Sequence, residues 1–379
     1  MTNPAIGRIE NLVVVGDYSD HDFYQRNRVL VGLFGETSTR TAFVGSRKRR
    51  ASHTLSVWSS WSERLASVFL VGLAILQNRK KISSADLVFV PYPSYFPLFW
   101  LRLFGGVGSA RLIADAFLEL QSTVVEDRKL ISKGSLAEKL VLAFQRFTLT
   151  SADGLLIDTE PQRNVLKAAL GEGCPPVIAL PVGIDEDLWT ALPDAPLGAR
   201  ATVLFWGTLI PLHGVEVIVD AAELLERSGA PIDIELVGDG QAAERLAEKL
   251  SQKQLKTLSW DRRLLDTEEL RKKVSKAHIC LGIFGGSQKA ASVVPYKVHQ
   301  ALAANRATIT RASTALTDSF DEESGLIPCN AEDPRALANT ISELTDRLRK
   351  GWRPQTRSIY DAQFSQRVLR DRLREVLQA

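Results

Sequence analysis

Short apolar, β-branched runs recur along the chain, each stopped by glycine, proline or aspartate, and stretches with helical spacing lie between them. Runs at 11–15, 86–90, 111–114, 154–157 and 177–180 read as strands that close at Gly16, Pro91, Asp115, Asp158 and Pro181. The rhythm then restarts. Runs at 202–206, 232–237, 256–259, 279–283 and 306–310 read as a second set of strands, and residues 215–228 have helical apolar spacing. Continuous apolar strands alternating with helices predict parallel sheets covered on both faces. Two such halves, joined by the Pro- and Ala-rich stretch 192–200, predict an α/β protein of two Rossmann-like, doubly wound domains facing a cleft. The N-terminal domain is expected over 1–191, the linker over 192–200 and the C-terminal domain over 201–356.

Two stretches of the first half admit two readings each. Residues 65–76 form a 12-residue uncharged run, too short to span a bilayer as a helix. They read as a buried helix or as an in-plane membrane contact. Tyr92, Tyr95, Phe96, Phe99, Trp100 and Phe104 read as a buried helix or as an exposed aromatic binding surface.

Composition narrows the class. With 379 residues, 45% hydrophobic and 24% charged, the chain is long enough for two cores and unlike disordered, collagenous or coiled-coil sequences. The three cysteines, Cys174, Cys280 and Cys329, are odd in number and far apart, which argues against zinc and a disulfide framework. Free thiols and an N-terminus without a signal pattern predict a cytoplasmic protein. Net charge is +3, unevenly distributed: residues 1–150 hold 19 Lys and Arg against 12 Asp and Glu, and the remainder 28 against 32. A basic front half predicts an anionic partner, without the pattern of a nucleic-acid binder. Arg47, Lys48, Arg49 and Arg50, followed later by Arg79, Lys80 and Lys81, read as solvated loops or as contacts with an anionic membrane at its inner face.

Candidate chemistry lies mainly in the second half. A strand delivers the chain to Gly207, a short loop runs through Thr208 to His213 and Gly214, and a helix follows. Glycine lets an anion approach the backbone, and a helix N-terminus supplies amides and a favourable dipole. Farther on, Gly285 and Gly286 turn the chain after a strand, and Pro295 opens a helix that carries Lys297 and, three residues later on the same face, Gln300. A cation beside helix amides suits a diphosphate, and a nearby side-chain carbonyl suits ribose hydroxyls. Asn305 is placed to end that helix in the left-handed conformation.

These segments, in order, carry a resemblance. Gly207-Thr208-Leu209-Ile210-Pro211-Leu212-His213-Gly214, Val237-Gly238-Asp239-Gly240, Leu281-Gly282-Ile283-Phe284-Gly285 and Val294-Pro295-Tyr296-Lys297-Val298-His299-Gln300-Ala301-Leu302-Ala303 resemble the group 1 glycosyltransferases, family 4 of the retaining enzymes with the GT-B fold. Pro181-Val182-Gly183-Ile184-Asp185 looks like the family's crossover segment. The resemblance implies transfer of a hexosyl group from a UDP- or GDP-sugar, with retention, to a glycan or lipid-linked acceptor in surface polysaccharide or glycolipid synthesis. No tightly bound cofactor and no essential metal are expected. It implies a donor set of Gly207, Thr208, His213, Gly238, Gly285, Gly286, Lys289, Lys297 and Gln300, with Lys297 on the diphosphate. The family's pair of glutamates is replaced by Ser292 and Gln300, and His213 stands where lysine is common. Gly16, Tyr18, Arg26, Glu119 and Arg128 are expected on the acceptor side, in the N-terminal domain. Asp115 is expected either to orient or deprotonate an acceptor hydroxyl or to cap a helix. The C-terminal helix, about 357–379, is expected to pack back on the first domain. Two other readings are a catalytically degenerate homologue that binds a nucleotide sugar or partner enzyme, and a nucleotide-sugar epimerase.

Overall fold

The computed structural model describes residues 9–19, 25–45, 47–48, 61–104, 106–127, 130–190 and 192–378. It resolves into two units: residues 1–183 with 369–379, and residues 184–368.

Unit 1 has strands β1 (Ile9–Val15), β2 (Tyr18–Ser19), β3 (Ser38–Val44), β4 (Arg47–Lys48), β5 (Leu87–Val90), β6 (Arg111–Asp115), β7 (Gly154–Ile157) and β8 (Val177–Ala179). Its helices are α1 (Gln25–Glu36), α2 (Trp61–Gln77), α3 (Arg79–Ser83), α4 (Tyr95–Leu103), α5 (Leu120–Ser122), α6 (Leu136–Leu149) and α7 (Glu160–Leu170). Six strands form one parallel sheet in the order β3-β1-β5-β6-β7-β8, while β2 and β4 make a separate pair.

Strand alternation builds a core on each face. Val13, Val15, Val88, Val90, Leu112 and Ile157 enter the core beneath α2, α4 and α7, while Leu12, Val14, Leu87, Phe89 and Ile113 enter the other, against α1. Phe34 of α1 stacks on Phe89 at 4.2 Å.

Unit 2 has strands β9 (Ala201–Trp206), β10 (Ile232–Val237), β11 (Leu258–Asp261), β12 (Ile279–Leu281), β13 (Ala307–Arg311) and β14 (Leu326–Cys329). Its helices are α8 (Glu186–Thr190), α9 (Val215–Arg227), α10 (Ala243–Lys253), α11 (Thr267–Lys276), α12 (Gln288–Ser292), α13 (Tyr296–Ala303), α14 (Pro334–Arg349) and α15 (Thr356–Gln363). The sheet is parallel, in the order β11-β10-β9-β12-β13-β14. Counted within the unit this is 3-2-1-4-5-6, the doubly wound order whose direction reverses between β9 and β12. Helices α9, α10 and α14 pack on one face, and α8, α11, α13 and α15 on the other.

The last helix, α16 (Gln366–Gln378), is divided between the units, and its greater part belongs to unit 1. Leu369, Leu373 and Val376 complete the core against α1. Arg370 pairs with Glu36, and Arg111 donates to the carbonyls of Val376 and Leu377.

Three differences from the sequence reading have physical causes. Residues 192–200 are not a free linker between the units; the division falls at Gly183 and Ile184. Leu192 and Leu197 pack on cores of unit 2, and Arg306 and Arg349 donate to the carbonyls of Pro193 and Ala199. Strands β3 and β14 escaped because both are edge strands. The first reads STRTAFV with most positions outside the core, and the second contains Pro328, tolerated only where no ladder partner is required on that side. Residues 65–76 lie in α2, where Val71 and Ile75 are buried but Phe69, Leu70, Leu73 and Leu76 are exposed.

Candidate anion-binding site

Doubly wound sheets bind ligands beyond the carboxyl ends of the strands, where strand order reverses. In unit 2 that point lies after β9 and β12. The chain leaves β9 at Trp206 and passes through Gly207, Thr208, the 3-10 turn Pro211–His213 and Gly214 into α9. It leaves β12 at Leu281 and passes through Gly285 and Gly286 to α12 and then α13.

The two loops are fastened together by backbone. Phe284 N donates to His213 O at 3.0 Å, and Gly285 N to Leu212 O at 3.2 Å. Gly214 has φ +62, and a Cβ there would sit 2.6 Å from the backbone of Phe284 and Gly285. Gly238, after β10, has φ +122, and a Cβ there would meet Gly207 O at 2.0 Å. Both positions therefore require glycine, on conformation and on space.

Lys297 lies in the first turn of α13, with Pro295 as the N-cap residue. Its side chain is only 4% exposed, and Nζ has no hydrogen-bond partner among the described residues. Nζ sits 4.4 Å from the centre of the Phe205 ring, and a Cβ on Gly207 would be 3.3 Å from Nζ. His213 converges on the same point: its ring meets Phe205 edge-on, and Cε1 would be 3.3 Å from that Cβ. Burial holds the Lys297 pKa well below the ordinary lysine value. An unpaired buried cation is unfavourable unless an anion joins it. Lys297 and His213 thus converge beside Gly207 at the switch point, where an anion would compensate the buried charge.

The other expected donor residues take varied parts. The amides of Gly207, Gly238 and Gly285 already donate to Val237, Asp261 and Leu212, so these glycines provide close approach and not free donors. Thr208 is half-buried in the same loop and Gly286 is exposed at the tip of the second. Lys289 is buried in α12. Gln300 Oε1 accepts from Trp206 Nε1 at 3.0 Å, so the carbonyl expected for ribose already holds an indole. Ser292 Oγ donates to Lys289 O.

Two residues of this region were missed. Arg311, at the end of β13, donates through Nη1 to the carbonyls of Gly285 and Ser287, bracing the second loop. Glu332 lies against Gly286: a Cβ there would be 2.6 Å from its carboxyl carbon. The sequence signal was slight, an arginine directly after a Thr-Ile-Thr strand and an acid in a polar loop.

In unit 1 the structure joins two expected residues and changes their meaning. Asp115 is fully buried, and both its oxygens accept from Arg26, at 2.9 to 3.2 Å. Arg26 also donates to the carbonyls of Leu180 and Pro181 and lies over the Phe117 ring. Burial raises the Asp115 pKa, opposed by the charge and hydrogen bonds of Arg26. The carboxylate expected to meet an acceptor hydroxyl or cap a helix is instead an internal anchor tying α1 to β6. Glu119 is buried too: it caps α5 through the amides of Gln121 and Ser122 and accepts from Gln145. Gly16 has φ +135, and a Cβ there would lie 3.1 Å from Pro97. Tyr18 is placed by its backbone in β2, opposite Arg47 of β4. Arg128, Arg49 and Arg50 lie outside the described residues.

A cavity of about 420 Å³ in unit 1 is lined by Arg102, Gly106, Gly108, Arg111 and Asp153. It opens at the amino ends of the strands, the edge opposite that used for ligands in such sheets. Among the described residues no group of three or more His, Cys, Asp or Glu is placed to hold a metal ion. Nor is any helix among them long and apolar enough to cross a membrane.

Comparison with known proteins follows the same lines. Residues 200–347 match the family model described as glycosyl transferases group 1. No curated protein matches the sequence. Among solved structures the chain is similar to sucrose-phosphate synthase of Thermosynechococcus elongatus: TM-score 0.71, 14% identity, 97% of this chain and 98% of that one. It is similar to Anabaena HepE in complex with UDP-glucose, with TM-score 0.68, 10% identity and coverage of 97% and 99%. Similarity to S. aureus TarM, solved with Fondaparinux, alpha-GlcNAc-glycerol and UDP, has TM-score 0.59 at 12% identity, over 82% of this chain and 59% of that one. At these identities the shared property is the GT-B fold.

Proposed function

We propose that this chain, whose residues 200–347 match the group 1 glycosyltransferases and whose fold is GT-B, is a glycosyltransferase that moves a sugar from a nucleoside diphosphate held at the unit 2 switch point, with anomeric retention. One observation carries the reading: Lys297 Nζ is buried without a hydrogen-bond partner among the described residues, beside Gly207 and His213. Cleaving the bond from sugar to diphosphate places growing negative charge on the leaving phosphate. A fixed, buried cation stabilises that charge more in the transition state than before it. His213 adds a ring directed at the same point, and the first turns of α9 and α13 add favourable helix-end fields.

Asp115 has no place as a base in this reading, because Arg26 occupies both its oxygens. The Gln300 amide still has donor capacity and a second carbonyl lone pair for a ribose hydroxyl. UDP as the nucleotide is supported by the UDP-bound state of the similar Anabaena and S. aureus structures. A glycan or lipid-linked acceptor in surface-glycan synthesis accords with the glycan ligands of the latter. The basic segments at Arg47, Lys48 and Arg79, Lys80, Lys81 support a peripheral contact with an anionic membrane.

A second reading is favoured by a specific observation. Ser292 and Gln300 replace the family's glutamates, and both side chains are engaged internally. A protein that binds nucleotide sugar without transferring it would look like this. Calorimetric titration with UDP and GDP, followed by transfer assays from the matching sugars, separates the two. Binding with turnover supports the transferase; binding without turnover across a broad acceptor panel supports the degenerate homologue; absence of binding removes both.

A further inference from the structure

Unit 1 carries an apolar face that its own core does not use. Helix α2 is apolar on both sides: Val71 and Ile75 face the core, while Phe69, Leu73 and Leu76, with Leu70, form an exposed stripe at helical spacing. A helix apolar all round is ordinarily covered all round. Its neighbour α4 repeats the pattern with Phe96 and Leu103, 46% and 56% exposed, and half-buried Phe99 between them. Next to α4, α6 exposes Leu136, Leu140, Ala143 and Phe147, at spacings of four, three and four residues.

The three stripes are continuous. Phe69 reaches Trp100 at 6.2 Å between ring centres, Phe99 reaches Phe147 at 5.9 Å, and Phe96 reaches Phe144 at 5.6 Å. Scattered exposed leucines are ordinary; a joined three-helix face is a docking surface.

Charge identifies the occupant. The described side chains of α2, α3, α4 and α6 include six bases, Arg79, Lys80, Lys81, Arg102, Lys139 and Arg146, and one acid, Glu138. That acid is engaged by the Gly134 amide and Gln121. An apolar surface flanked by bases of one sign fits the boundary between acyl chains and anionic headgroups. A second copy of the chain would bring like charges together across a two-fold contact.

We propose that the α2–α4–α6 face of unit 1 is the surface by which this protein lies on an anionic lipid bilayer, its leucines and phenylalanines entering the interface and its bases meeting lipid phosphates. This deepens the peripheral-contact reading above and is independent of the proposed donor site. It also assigns roles to both unresolved sequence stretches: 65–76 and the aromatic run serve partly as core and partly as membrane face.

The test is co-sedimentation of the full chain with vesicles of phosphatidylcholine alone and with phosphatidylglycerol added, at low and high salt. UDP binding and thermal melting are measured on the same samples. The proposal expects association only with the anionic vesicles, weakened by salt. Leu73→Glu with Leu140→Glu lowers the vesicle partition coefficient at least tenfold while the melt and UDP binding stay as in the wild type. Lys80→Glu with Lys81→Glu lowers it too, by roughly fivefold for each charge removed. No association of the wild type, or equal association with neutral vesicles, overturns the proposal. So does a concentration-dependent dimer in ultracentrifugation that Leu73→Glu dissociates, since the face would then belong to a second copy. Loss of UDP binding by the wild type instead strikes the donor reading alone.

Discussion

Lys297 is a side chain whose functional and structural interests oppose each other. With Nζ buried and lacking a hydrogen-bond partner among the described residues, it disfavours the ligand-free fold, and an anion reverses the sign. Lys297→Met should therefore raise the melting temperature of the free protein while weakening nucleotide binding. Scanning calorimetry and titration on one preparation check both halves. The pH dependence follows. The folded-state pKa lies below the unfolded-state one, so between them the unfolded chain holds more protons and stability rises with pH. Nucleotide binding pulls the proton back, so affinity should fall as pH rises through the lowered pKa, with proton uptake visible as a buffer-dependent heat. Lys297→Met should lose both effects; their persistence would locate the titrating group elsewhere. The lysine itself was legible from Val-Pro-x-Lys after a Gly-Gly turn. Its isolation was not, because that depends on Phe205 of β9, 92 positions earlier in the chain. The burial and pairing of Asp115 were illegible for the same reason: its partner Arg26 is 89 residues away.

At the scale of elements, the loops around Lys297 are held by their backbones. Loops after β9, β10 and β12 press backbone on backbone at Gly214 and Gly238. Gly214→Ala should part the first and third loops, lowering both stability and nucleotide affinity, while Gly229→Ala, in open space but also at positive φ, reports the conformational part alone. In unit 1 the Arg26–Asp115 pair ties α1 to β6 and to the chain after β8. Arg26→Met leaves a buried, uncompensated carboxylate and should cost about 3–5 kcal/mol in denaturant unfolding. Adding Asp115→Leu should recover much of that; if the double variant is no better than the single one, the pair is not coupled as described. At this scale the sequence was a good guide to central strands, whose apolar runs are buried on both faces. Edge strands β3 and β14 were invisible because one side of each lacks a ladder neighbour and tolerates polar residues or proline. Periodicity also could not tell which side of α2 is covered, since both sides are apolar.

At the scale of the whole chain, the C-terminal residues return to the first unit. Leu369, Leu373 and Val376 are buried against α1 and β1. Truncation after residue 368 should destabilise unit 1 by on the order of 5 kcal/mol, from three aliphatic side chains at about 1.5–3 kcal/mol each. Limited proteolysis that leaves unit 1 of the truncated chain as resistant as before would refute this. The return of a terminal helix was expected from family resemblance, whereas the position of the division was not readable. The stretch at 192–200 has a linker's composition, but Leu192, Leu197 and three arginine- or histidine-held carbonyls fix it on unit 2. Part of the uneven charge now has a location: six of the 19 bases in the first 150 residues have described side chains on α2, α3, α4 and α6, and the candidate anion site lies in the mildly acidic remainder. In the proposed reading that site acts through one placed lysine and its surroundings and not through bulk charge.

The most direct measurement is calorimetric titration of UDP and GDP into the wild type and Lys297→Met at near-neutral pH. A charge-assisted contact of about 1.5–3 kcal/mol predicts that the preferred nucleotide binds the variant roughly 10- to 100-fold more weakly, with the variant fold intact by thermal melting. Equal affinity for wild type and variant, or no binding of either nucleotide by the wild type, would contradict the assignment of the diphosphate site to Lys297 at the switch point.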